Sequence, residues 1–181
     1  MGFVYKGSLN GGHSRTLIKV VLNAQTTFRI GDWVLGGTDD GADLPTAGVK
    51  LLGCIAAIIT DKGVSPSSDG CGGAFVDKYY TAASNETSGK ISALIDVDPN
   101  SLYSATADSS LGTTTGSNKK FYFFDLSSTC VTTGSSAQSL AESLTSATSG
   151  QFFSLGLDPD DTTRVIVKLR ESAMLGDSGI A

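Results

Sequence analysis

Apolar residues in this chain gather in short runs, and clusters of Gly, Ser, Thr and Asp separate them. The runs Phe28–Leu35, Leu51–Thr60, Ile91–Val97, Lys120–Leu126 and Arg164–Leu169 are rich in Val, Ile and aromatic residues. Runs this short, bounded by turn formers, predict β-strands. Thr16–Leu22, Ala74–Tyr80 and Phe152–Leu157 add further strands, while Leu102–Ala107 fits strand or turn. Turns are expected at Asp39-Asp40-Gly41 and Asp98-Pro99-Asn100, and the Asp158–Asp161 turn closes a terminal hairpin. One segment has a different period. In 136–149, Ala137, Leu140, Ala141 and Leu144 share a helical face and Ser135 or Ser136 is placed to cap it, so a short helix is expected there.

These elements predict an all-β protein, a β-sandwich or barrel-like domain with an extended N-terminal arm and at most one short helix. Residues 1–25, interrupted by Gly7, Gly11 and Gly12, read as the arm. Residues 26–170 read as the β-rich body, with 63–90 as a polar loop excursion or lobe, and 171–181 as a C-terminal tail that a neighbour would have to hold. The 181 residues, 40% apolar with a mean hydropathy of +0.06, suffice to bury a real core and exclude wholesale disorder. Charged residues are only 17%, and Ser and Thr make up about a quarter of the chain. A surface so poor in charge is expected where a protein packs against neighbours or is held outside a cell.

Charge narrows the partners. The net charge is −5 and the thirteen basic residues are scattered, with Lys119–Lys120 the one adjacent pair. Nucleic-acid binding draws on clustered cations that release counterions, so no nucleic-acid partner is expected. No apolar stretch is long enough to span a bilayer, and the N-terminal residues lack the apolar centre of a secretory signal. The three cysteines, Cys54, Cys71 and Cys130, are too widely spaced for a zinc knuckle and odd in number for a disulfide framework. Cys54 reads as a small buried hydrophobe.

Candidate chemistry is sparse. Gly176-Asp177-Ser178-Gly179 matches the nucleophile segment of trypsin-like proteases, but such a serine needs a histidine base and following pocket strands. The single histidine, His13, lies far off among glycines and reads as a surface residue. Asp96, Asp98 and Asn100 open like a calcium loop, yet Ser101 stands where Gly is required and Ala107 where Glu is required, so a strand-end turn is expected. Asp158, Asp160 and Asp161 are the candidate metal ligands, read against a solvated hairpin tip. No catalytic residue, cofactor-binding residue or cofactor is expected. Trp33, Tyr79, Tyr80, Tyr103 and Phe121–Phe124 read as core and inter-strand aromatics, with a carbohydrate platform as their other use.

Phe28-Arg-Ile-Gly-Asp-Trp-Val-Leu35, followed by Leu52-Gly-Cys-Ile-Ala-Ala-Ile-Ile59, resembles segments of small β-rich virion proteins of tailed bacteriophages. Phe153-Ser-Leu-Gly-Leu-Asp-Pro-Asp-Asp-Thr-Thr-Arg-Val-Ile-Val-Lys168 resembles the last hairpin of such proteins. Head decoration, or cement, proteins are the most similar in style. The resemblance implies a non-enzymatic protein on the capsid surface of a virion, assembled in the host cytoplasm. The major capsid protein and further copies of the chain, as a homotrimer, would be its partners. On that reading the arm pairs with neighbouring strand edges, with Val4, Tyr5, Leu9, Leu17, Ile18 and Val20 as the partner-binding residues. The alternatives are a carbohydrate-binding or adhesin-type β-sandwich module, and a phage tail or neck component.

Overall fold

The computed structural model describes residues 2–11, 15–23, 27–37, 41–45, 48–60, 75–76, 79–81, 91–106, 121–127, 138–142 and 150–174. Its strands are β1 (Val4–Ser8), β2 (Leu17–Leu22), β3 (Thr27–Arg29), β4 (Trp33–Gly36), β5 (Gly41–Asp43), β6 (Gly53–Thr60) and β7 (Phe75–Val76). They continue with β8 (Tyr79–Thr81), β9 (Ile91–Asp96), β10 (Ser101–Thr106), β11 (Phe123–Ser127), β12 (Ser139–Glu142), β13 (Phe152–Asp158) and β14 (Asp161–Leu169). A single 3-10 turn follows at Glu171–Ala173.

Among the described residues, two six-stranded sheets form the body, and β3 pairs with β8 in a third, two-stranded one. The first runs β1-β10-β14-β13-β11-β12. The second runs β4-β5-β2-β9-β6-β7, and β4 also pairs with β6, which closes β4, β5, β2, β9 and β6 into a five-stranded ring. Within it β2 and β5 are parallel and the other pairings are antiparallel. Closure places Trp33 opposite Cys54 and Val34 opposite Gly53. Gly53 is required there: a Cβ would run into the Asp96 carbonyl oxygen and approach Ile95 Cγ2 to 2.7 Å.

Alternation then sorts side chains into two cores. Leu22, Val34, Ala42, Ile55, Ile58 and Ile95 come from all five strands of the ring and fill its interior, with Phe28 of β3 added. Ile55 and Ile58 share that interior because the β6–β9 register shifts between Ile55 and Ala57, a bulge that turns the strand by one residue. On the other face of the same strands, Trp33 and Cys54 join Tyr103, Phe124, Leu140, Phe152, Val167 and Leu169 of the first sheet. Trp33 is the centre of this second core. Its ring meets Phe3, Tyr103 and Phe152 edge-on, with centroids at 5.6, 5.1 and 5.0 Å.

Buried side chains complete the backbone where ladders part. The Gln138 amide accepts from Trp33 N–H at 2.6 Å and donates to the Trp33 carbonyl at 3.1 Å. Past Phe124, β11 leaves β13, and the Gln151 side-chain Oε1 accepts from Leu126 N–H at 2.7 Å. The buried Arg164 guanidinium donates to Ser104 Oγ and to the carbonyls of Ser104 and Gly2, fastening the N-terminal residues to β10.

Two expectations are corrected. Residues 1–25 are not an arm in their described part: β1 pairs with β10 and β2 lies between β5 and β9, because each contributes residues to a shared core. The helix expected in 136–149 is a strand over Ser139–Glu142, paired with β11. Leu140 is buried beside Leu126 while the adjacent Ala141 alternates outward and is only partly buried; Ala137 and Leu144 lie outside the described residues. The terminal hairpin falls where the sequence placed it. At the start of the tail, the Ala173 carbonyl accepts from Leu51 N–H at 2.8 Å, which ties Glu171–Ala173 to the body. Most of 63–90, together with 175–181, His13, Cys71 and Cys130, lies outside the described residues.

Trp33→Ala is expected to destabilise the protein by about 3–5 kcal/mol, as for a large aromatic removed from a packed core. Gln138→Leu is expected to cost about 1–3 kcal/mol, because it orphans two buried backbone groups. Chemical denaturation of each variant against wild type checks both values.

Candidate functional site

The surface that stands out is the pair of strand edges built from the N-terminal residues. In β2, Leu17–Val21 pair with Asp96–Ser92 of β9, while β5 pairs only with Val21 and Leu22. Among the described strands, the other edge of Leu17–Val20 is therefore unpaired. Leu17 and Ile18 point to opposite faces by alternation, yet both are exposed, at 44% and 37%. The first half of β2 thus projects past the ring with both faces in solvent. Lys19 is the one charge along Leu17–Val20.

β1 is the outer strand of the first sheet and pairs only with β10. Val4 in this strand and Leu9 just past its end are exposed, Leu9 at 47%. The two edges meet at the turn between β9 and β10. There Leu9 N–H donates to the Asn100 carbonyl at 3.0 Å and Val97 N–H donates to the Thr16 carbonyl at 2.9 Å. The Arg15 guanidinium lies 3.6 Å from the Tyr5 ring centroid and links the two segments. Of the six expected partner-binding residues, Val4, Leu9, Leu17 and Ile18 are exposed, while Tyr5 and Val20 are partly buried and pack on the two cores.

Asp96 anchors this turn. Its carboxylate is buried and accepts from Ser101 Oγ at 2.8 Å, Tyr103 OH at 2.5 Å and Asp98 N–H at 3.1 Å, with Arg15 Nε at 4.0 Å. Asp98 Oδ1 accepts from Asn100 N–H in the same way. The acids that suggested a calcium loop are thus spent on the turn itself. Burial, then the charges of Asp32 and Asp96, pushes the neighbouring Cys54 thiol well up, so Cys54 serves as a small apolar residue between the sheets. Burial raises the Tyr103 hydroxyl as well, ahead of Cys54 and Asp96.

The candidate metal ligands sit at the β13–β14 tip. Asp158 is buried and Asp160 exposed, and both hold the Lys6 ammonium, at 3.1 and 2.9 Å. Asp161 Oδ1 instead accepts from Thr163 N–H at 3.0 Å and Thr163 Oγ1 at 2.6 Å. The three carboxylates do not converge, and no set of three metal-ligating side chains is found among the described residues. A lysine cation stands at two of them.

The candidate aromatic platform is divided by the fold. Trp33, Tyr103 and Phe124 are buried, whereas Phe121 and Tyr122 are exposed on the outside of the first sheet. Tyr79 and Tyr80 fall on β8, where only the backbone is described. Phe121–Phe124 form one group along the chain. The signal that separates them is the alternation of Phe123 outward and Phe124 inward. No helix among the described residues is long and apolar enough to cross a membrane.

Burial works to raise the Asp158 pKa, but hydrogen bonds with Ser104 and Asp160 N–H and the Lys6 ion pair outweigh it and hold the pKa below the usual carboxylate value. A lowered folded pKa contributes stability that is full above the unfolded value, near 3.9, and is lost as pH falls through the folded value. Wild type is therefore expected to lose stability more steeply than Asp158→Asn as pH falls below about 4 towards the lowered folded value, read from unfolding midpoints at each pH.

No protein-family model, no curated protein and no solved structure matches this chain.

Proposed function

We propose that this chain is a non-catalytic structural protein of a virion, one that docks on and stabilises a bacteriophage head lattice as decoration proteins do. The supporting observation is the first half of β2, where Leu17–Val20 offer an unpaired edge and apolar side chains on both faces. A free edge presents a row of backbone donors and acceptors, and proteins normally blunt it with charge, proline or a covering element. Here an edge with the lone Lys19 suits addition of a neighbour's strand: main-chain hydrogen bonds supply affinity, and Leu17 and Ile18 supply register. Val4 and Leu9 on the adjoining β1 edge extend the same surface. The resemblance to phage head proteins supplies the lattice, and the major capsid protein is the partner on this reading.

Purified chain mixed with undecorated phage heads is expected to co-sediment with them up to a fixed stoichiometry. Leu17→Lys combined with Ile18→Lys places charge on an exposed edge, where each change should alter stability by no more than about 0.5 kcal/mol. The double variant is expected to bind heads roughly thirtyfold more weakly, matching the ~2 kcal/mol that hot-spot side chains carry. Heads that ignore the wild-type chain while a glycan array retains it would replace this reading with the carbohydrate-binding one.

A further inference from the structure

The outer face of the first sheet carries a second surface, at the end of the β13–β14 hairpin away from its tip. Phe123, Phe153 and Lys168 stand opposite one another across β11, β13 and β14, and so share one face. The Phe121 and Phe123 rings flank Phe153 at 5.9 and 5.5 Å, and the Arg170 guanidinium lies 4.7 Å over Phe123. Together with Glu171 and Ser172, these side chains line a shallow notch of about 310 Å³. Phe121 rises beside it with 70% of its surface exposed.

Two unfavourable terms coincide at Phe121. Its backbone has φ of +64°, a left-handed conformation that a bulky residue adopts at a cost, and its ring gains little from burial. Both its backbone and its neighbour's are fixed: Phe121 N–H donates to the Ser154 carbonyl at 2.8 Å and Ser154 N–H donates to the Tyr122 carbonyl at 2.9 Å. The sheet thus holds an aromatic ring in solvent beside a notch that carries two cations against the one carboxylate of Glu171, in a chain whose net charge is −5. The ring planes lie 37° and 55° from that of Phe153, so they form a notch rather than a flat platform for a sugar ring.

The same hairpin carries the complement. At its other end the tip Asp158-Pro159-Asp160-Asp161 exposes Asp160 and Asp161, and its three carboxylates against the one Lys6 cation leave it negative. From Asp161 to Arg170 the extended chain spans about 30 Å at roughly 3.3 Å per residue, so the two ends of one hairpin cannot touch. We propose that the notch receives the acidic hairpin tip of a second copy, so that copies join head to tail. Asp160 and Asp161 would face Lys168 and Arg170, while Pro159 would rest against Phe121 and Phe153. A contact between two different patches is heterologous: it closes into a ring if the rotation permits and otherwise continues as a filament. This deepens the proposed structural role, but on a face separate from the β2 edge.

Sedimentation velocity on the full chain over a concentration series tests it. Wild type is expected to associate as concentration rises, and less so at high salt, which screens exposed charges. A notch variant, Phe121→Gly with Lys168→Glu, and a tip variant, Asp160→Asn with Asp161→Asn, are each expected to associate at least roughly tenfold more weakly. Glycine accommodates the positive φ, Asn keeps the Oδ1 acceptor that Thr163 uses, and Lys6 keeps Asp158 when the exposed Asp160 pair is lost, so thermal midpoints should shift little. If the notch variant fails to fold, Lys168→Glu alone takes its place. Mixed together, the two variants should form a 1:1 dimer that grows no further, since each retains one intact half. A wild type that stays monomeric, association surviving either variant, or a mixture that remains monomeric or grows past the dimer would overturn the proposal. Head binding by a monomeric chain would overturn this contact alone and leave the docking role standing.

Discussion

Two apolar cores share one wall, and the wall is the short pairing of β4 with β6. Strand alternation sends Trp33 and Cys54 to one side of it and Val34 and Ile55 to the other. A slip of one residue would drive the indole into the ring and pull Val34 into the aromatic cluster, so the register is fixed by volume as well as by hydrogen bonds. Gly53 permits the close approach of β9 that this pairing needs. The ring closes, the first sheet gains something to pack on, and the remaining strands take their places around these residues.

Sharing a wall has a polar consequence. Short strands that serve two cores diverge from their neighbours early, and each divergence strands backbone groups away from water. Gln138 and Gln151 answer this with side-chain amides that imitate a missing strand at Trp33 and at Leu126. Arg164 does the same for the carbonyls of Gly2 and Ser104. Asp96 performs the acceptor's version of the task at the β9–β10 turn. Buried polarity in this protein is thus accounted for mainly by architecture. The surface features that it does not account for are the bare edge of β2 and the Phe121 ring, both held out by a firmly paired scaffold.

Much of the fold was legible along the chain. Runs of β-branched and aromatic residues located most strands, and Asp-Pro-Asp-Asp between Leu157 and Thr162 marked the terminal hairpin, because turn chemistry and period-two patterning act over a few residues. Of the residues that an arm would present to a partner, Val4, Leu9, Leu17 and Ile18 are exposed. Tyr5 and Val20 were not separable from them. Only the packing of β1 and β2 beside distant strands turns these two side chains inward.

What the sequence determined by itself was local: an all-β chain, its turns, and a shortage of charge. Tertiary structure decided what depends on residues far apart. It made the described part of 1–25 belong to both sheets, because β1 and β2 gain more by completing ladders with β10 and β9 than by remaining in solvent. It made Ser139–Glu142 a strand, because β11 presents an edge that outweighs weak helix propensity. And it separated Phe121 and Phe123 from Phe124, bringing the first two beside Phe153, Lys168 and Arg170 through pairings between β11, β13 and β14 that no short window of sequence contains.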